Sequence, residues 1–194
     1  MDSSPVDAVA GSDEGLMMAF ARGSQDAFGE LFKRYKQPVF GFFRRRVGDV
    51  GVAEELTQET FMAVLRGAER YEPRALFRTY LYAIGLKVLG AYRRKAAFRA
   101  VFAGVQGEGD EAVARGSLDT DVVLRDAVGR LERMDREVLL LREFEQLSYA
   151  EIADVLRLPV NTVRSRLFRA RTALREMLTA APVRVGLVEM EERV

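Results

Sequence analysis

Residues 148–178 read SYAEIADVLRLPVNTVRSRLFRARTALREML, and this stretch decides the fold class. Ser148 followed three residues later by Glu151 is a capping-box signature, so a helix is expected to start here. Ile152, Ala153 and Leu156 supply its apolar stripe. Pro159 breaks that helix and is placed to open the next, because a first helical turn has no use for the N–H that proline lacks. At about 100° per residue, Val163, Leu167, Ala170, Leu174, Met177 and Leu178 share one face of the second helix and should be core. Asn161, Ser165, Phe168 and Thr172 point the opposite way, flanked by Arg164, Arg171 and Arg175 on one side and Arg169 on the other.

A short helix, a tight turn and a long basic helix have the geometry of a helix-turn-helix whose second helix enters the major groove. Arg can pair in bidentate fashion with guanine, Ser and Asn can bond to base edges, and Phe can touch a thymine methyl. A solvated basic helix packed on its neighbour is the competing reading. It leaves Phe168 on the wet face without a reason.

At 194 residues the chain can hold one ordinary domain or two small ones. A hydrophobic content of 48% argues for a folded protein. Net charge is only +1, so nucleic-acid binding must come from local segregation of charge. Zero Cys and zero His exclude disulfides, thiol catalysis, zinc fingers and imidazole bases together. No spacing supports a catalytic site, so no enzyme activity and no cofactor or metal is expected. The N-terminus lacks a basic start and a signal-length apolar run, and no segment approaches the ~20 apolar residues of a membrane span. A soluble cytoplasmic protein is the expectation.

Helical periodicity runs through most of the chain, which predicts an all-α fold. Residues 1–11 are small and polar, a disordered lead-in. Ser12 and Ser24 are placed to cap two helices, the second with Phe28, Leu31, Phe32, Tyr35, Val39, Phe42 and Phe43 on one face. Pro38 should kink this helix without ending it. Arg44, Arg45 and Arg46 close it, where cations complement the C-terminal dipole. A helix over 52–70 turns Ala53, Thr57, Phe61, Val64, Leu65 and Ala68 inward and a mostly acidic face with Met62 outward. A fourth helix, 76–99, carries Phe77, Tyr80, Leu81, Ile84, Val88 and Tyr92 as its stripe and ends in a basic cluster. Between 100 and 121 the period fails among glycines and acids, which predicts a flexible linker. Two small helical domains follow, 12–99 and 122–180, the second containing the helix-turn-helix, with a tail over 181–194.

With both halves in view the chain resembles the sigma-70 family, in its extracytoplasmic-function group of bacterial RNA polymerase sigma factors. AFGELFKRYKQPVFGFFRRR, AEELTQETFMAVLRGAERY with FRTYLYAIG, and the run from Arg136 to Leu178 carry the resemblance, in the family's order. It implies promoter-directed transcription initiation with two DNA-reading domains, region 2 for the −10 element and region 4 for the −35 element. Expected partners are the polymerase core, through its β′ clamp helices and β flap, promoter DNA, and an anti-sigma factor.

The resemblance also implies residues. Glu55, Gln58, Glu59 and Met62 match the polymerase-docking face. Tyr71, Glu72, Arg74, Tyr80, Lys87, Arg93 and Arg94 fall on the segment that captures and faces the opened −10 strand. Arg142, Asn161, Thr162, Arg164, Ser165, Phe168 and Arg169 match the −35 reader. Three positions depart from the pattern: Tyr80 stands for the frequent Trp, Lys87 for the frequent Asn, and Ala91 for a commonly acidic residue. Arg157 replaces a usual turn Gly, so that turn must avoid positive φ or tolerate strain. The helix-turn-helix alone also resembles that of LuxR-type regulators, which would act without docking to polymerase. That alternative needs a sensor domain upstream, whereas residues 12–99 read as helix throughout.

Overall fold

Ser12 accepts a hydrogen bond from the Gly15 amide at 3.0 Å and starts α1 (Asp13–Ala21), the first helix in a computed structural model that describes residues 11–102 and 119–180. Gly23, at φ 104°, turns the chain into α2 (Gln25–Val47). Ser24 holds the cap position there without a side-chain hydrogen bond. The helix runs through Pro38 and stops at Gly48, whose φ of 72° suits a residue without Cβ. Asp49 then caps α3 (Val50–Gly67) by accepting from Val52 N at 2.8 Å, and a 3-10 turn, Ala68–Arg70, follows. The next helix, α4 (Phe77–Phe102), has its first amide bonded to the Glu14 carboxylate at 2.6 Å, a cap supplied by α1.

Helices α1 to α4 enclose Met17, Leu31, Val39, Phe42, Phe43, Val64, Phe77 and Leu81, all buried. Burying one such side chain stabilises by about 1.5–3 kcal/mol. The expected stripe of α4 is buried at Phe77, Leu81 and Val88, but Tyr80, Ile84 and Tyr92 stay partly accessible. Tyr82 and Leu89, on another side of the helix, are buried as well, because α4 is covered on two sides.

The second half consists of α5 (Asp119–Gly129), α6 (Arg133–Glu143), α7 (Tyr149–Leu156) and α8 (Val160–Ala180). Glu132 caps α6 by accepting from Met134 N at 3.0 Å and Asp135 N at 3.3 Å. Val138, Leu141, Leu147, Ile152, Val163 and Leu167 form its core. Leu178, expected inside, is 39% exposed, since α8 extends past the helices that cover its start. Among the described residues there is no strand, and the all-α reading holds. Residues 100–102, read as linker, continue α4, and α5 begins at 119; the rest of that linker, most of the lead-in and the tail lie outside the described residues.

The two halves are packed together. Arg46 occupies the next inward position of the α2 stripe after Phe42 and is buried. Its guanidinium donates to the Phe42 carbonyl at 2.9 Å, to Glu137 at 2.6 Å and to Glu145 at 3.2 Å. Arg45 adds a 3.0 Å pair with Glu145 and lies over the Phe144 ring at 4.6 Å. On α4, Arg78 makes a bidentate pair with Glu151 of α7, its Nη2 2.7 Å from Oε2. The Thr79 hydroxyl donates to the same carboxylate at 3.3 Å.

Candidate nucleic-acid interface

The turn of the helix-turn-helix is held from both sides. Ser148 Oγ accepts from Glu151 N at 3.2 Å, and the Glu151 carboxylate accepts from Ser148 N at 2.9 Å, closing the expected capping box. Burial alone would raise the Glu151 carboxyl, but the hydrogen bonds from Arg78 and Ser148 outweigh it and bring it down to about 2. Helix α7 ends at Arg157 in the left-handed conformation (φ 55°, ψ 48°), so this turn carries the strain. Pro159 precedes α8 instead of lying in its first turn, and its carbonyl accepts from Thr162 N at 2.9 Å and Val163 N at 3.1 Å.

Helix α8 therefore emerges with Val163, Leu167 and Ala170 inward and Asn161, Arg164, Ser165 and Phe168 in solvent. Phe168 is 71% exposed, which core packing does not explain. Arg164 is exposed and forms no ion pair among the described residues. Arg169 is different. Asp135 on α6 accepts from its Nε at 3.1 Å and Nη2 at 3.2 Å, and also from Arg166 Nη1 at 2.8 Å. Burial would raise the Asp135 carboxyl, but these two guanidinium groups lower it. Arg142 donates to the Leu147 carbonyl at 2.9 Å and lies over the Tyr149 ring, steadying the approach to α7.

The second surface lies where the 3-10 turn meets α4. Tyr71 and Tyr80 meet edge-on at 5.1 Å, with Phe77 against both and Tyr35 behind it. Burial pushes the Tyr71 hydroxyl up to about 12. Beyond this cluster the loop residues Glu72 and Arg74 are exposed and paired with each other. Lys87 and Arg94 lie seven residues apart on one exposed side of α4, in line with Tyr80. Arg93 does not join them: it faces the second half across a cleft with Glu137 and donates to the Arg46 carbonyl at 3.5 Å. On α3, Glu55, Gln58, Glu59 and Met62 are all exposed, while Leu56, Thr57, Thr60 and Phe61 between them are buried.

The interdomain residues Arg45, Arg46, Arg78, Glu137, Glu145 and Glu151 were not singled out for this contact by the sequence. The available signal was Arg46 itself, a charged residue continuing the apolar spacing of Val39 and Phe42.

Family models for sigma-70 region 2 and sigma-70 region 4 match residues 31–99 and 121–174. The RNA polymerase sigma-H factor of Pseudomonas aeruginosa is 32% identical over 86% of this chain and 93% of its own. The ECF RNA polymerase sigma factor SigC of Mycobacterium tuberculosis is 37% identical with the same coverage. Among solved structures, CnrH in complex with the cytosolic domain of CnrY matches 87% of this chain and 97% of its own, with 29% identity and a TM-score of 0.67. The chain belongs to the extracytoplasmic-function group of the sigma-70 family. It is a sigma factor, directing RNA polymerase to promoters, and the LuxR-type alternative is set aside. No described helix is long and apolar enough to cross a membrane.

Proposed function

We propose that the two DNA-reading duties divide between α8 and the α4 surface. On α8, Asn161, Thr162, Arg164, Ser165 and Phe168 read the −35 duplex, with Arg142 and Arg169 contributing the donors they do not spend inside the chain. The exposed Phe168 on an otherwise polar helix face is the observation that carries this assignment. At the other end Tyr71, Glu72, Arg74 and Tyr80 receive the opened −10 strand, with rings for stacking and Lys87 and Arg94 for phosphates. Arg93 belongs to this set only once the second domain moves away from it. The exposed α3 face, Glu55, Gln58, Glu59 and Met62, docks on the β′ clamp helices, and the second domain meets the β flap.

The protein acts by binding, with no catalytic step of its own and no cofactor, in the cytoplasm where its polymerase works. An anti-sigma factor is its expected regulator, as CnrY is the partner in the solved CnrH complex. Melting of the −10 element then draws on binding energy alone, at a few kcal/mol per unstacked base. Run-off transcription with purified core polymerase tests the assignment. Arg164→Ala should change which −35 sequences are used, and unchanged promoter preference would show that α8 does not read the duplex.

A further inference from the structure

Resting on the assignment of α8 to the −35 duplex, we infer that Asp135 on α6 is a positioning residue for promoter selection. It clamps one edge of the Arg169 guanidinium and so aims the opposite tip at a single guanine of the −35 element.

The donors that remain decide this. A guanidinium carries five N–H groups in one rigid plane. Asp135 occupies a whole edge of it, Oδ2 accepting from Nε at 3.1 Å and Oδ1 from Nη2 at 3.2 Å. The tip is left over, where one N–H of Nη1 and the second N–H of Nη2 run parallel. Nη1 has no partner among the described residues. A parallel pair of donors is what guanine O6 and N7 accept together.

The acceptor is itself fixed. Asp135 lies in the first turn of α6, where its amide donates to Glu132 Oε2 at 3.3 Å. From the other side Arg166 Nη1 donates to Asp135 Oδ1 at 2.8 Å and to Glu132 Oε2 at 2.7 Å. The plane of Arg169 is therefore set by α6 as well as by its own helix. The Asp135 side chain is 10% exposed and that of Arg169 55%, so the clamp fixes the guanidinium without withdrawing it from solvent. Ser165, Phe168 and Arg169 are all exposed and fall at helical spacing on α8, which places the tip on the face already assigned to the duplex.

Such a pair at the surface contributes little to stability. Its effect is on recognition. An arginine already held in one plane loses less freedom when it meets a base than one that must first be ordered.

Holoenzyme affinities for a promoter that it transcribes, with each −35 base pair replaced in turn, test this. Asp135→Asn should lower affinity for the parent element about tenfold and remove most of the discrimination at one G·C pair. Affinity for duplexes altered at that pair should hold or rise, because the variant deletes a negative charge beside the phosphates. A role confined to stability would lower every affinity alike. Arg169→Lys should reproduce the loss of discrimination, and adding Asp135→Asn to it should cost nothing further. Asp135→Glu keeps the charge one methylene further out and should lose less discrimination than Asp135→Asn. Thermal unfolding checks the variants, and Asp135→Glu carries the test alone if Asp135→Asn does not fold. Unchanged discrimination in the folded Asp135 variants, or an equal loss on every duplex, would overturn the clamp. Arg164→Ala in the same series separates the two claims. If it relaxes −35 preference while Asp135→Asn does not, α8 still reads the element and the clamp alone falls; if neither variant alters preference, both fall.

Discussion

The hydroxyl of Tyr80 lies directly over Gly67, where an added Cβ would come within 2.7 Å of the oxygen. The end of α3 thus fixes how far the ring sits from Tyr71. Gly67→Ala should push the Tyr80 ring out of the cluster at an overpacking cost of about 1–3 kcal/mol. Permanganate footprinting of a promoter should then show less −10 opening while polymerase binding is kept. Unchanged opening would mean that this ring does not receive a base.

Two arginines should fail in different ways. Arg164→Ala should cost about 1–3 kcal/mol and relax preference at one position of the −35 element, as the loss of a bidentate base contact does. Arg94→Ala should weaken binding across all promoters alike and reduce the salt slope by about one, the mark of a phosphate contact. Holoenzyme affinities on a small promoter set at several salt concentrations separate the two.

Glu151 makes the closed chain acid-sensitive in a defined window. Its folded-state carboxyl is depressed from an ordinary 4.5 to about 2, so the stabilisation is complete above about pH 4.5 and is lost as pH falls through about 2. Urea unfolding midpoints should fall for the parent between pH 4.5 and 2. Glu151→Gln should be less stable at pH 7 and should change less across that window. Parallel curves for the two proteins would show that the carboxylate is not held by Arg78 and Ser148.

Arg157 holds a left-handed conformation that glycine adopts without cost. Arg157→Gly should stabilise by about 1 kcal/mol, raising Tm by about 2–4 °C in a chain of this size. Thermal unfolding reads this directly, and a lowered Tm would show that the Arg157 side chain contributes more than its backbone strain costs.

The helices, and which of their sides are buried and which exposed, were largely legible because each rests on local periodicity. The 3.6-residue repeat separates Val163 and Leu167 from Ser165 and Phe168 whatever lies across the core. What escaped depends on contacts distant in sequence. Arg46 looked like a cation completing a helix end, yet its carboxylate partners lie 91 and 99 residues away. Glu151 is legible as a cap, and nothing local announces its second bond to Arg78. Arg169 looked free because Asp135, which holds it, is 34 residues earlier on another helix. A single α4 stripe was expected because one periodic run reports one buried side. Leu89 faces Met134 and Leu156 of the second half, and Tyr82 packs on Phe42.

The bond between Arg78 and Glu151 carries a consequence for the order of assembly. Glu151 presents its carboxylate to Arg78 while tied to the Ser148 amide, so the acceptor is aimed only after the first turn of α7 has formed. The Arg78–Glu151 pair therefore forms after the first turn of α7 and not before it. A nascent chain leaving the ribosome thus carries Arg78 well before residues 148–151 have been made and have turned its acceptor towards it.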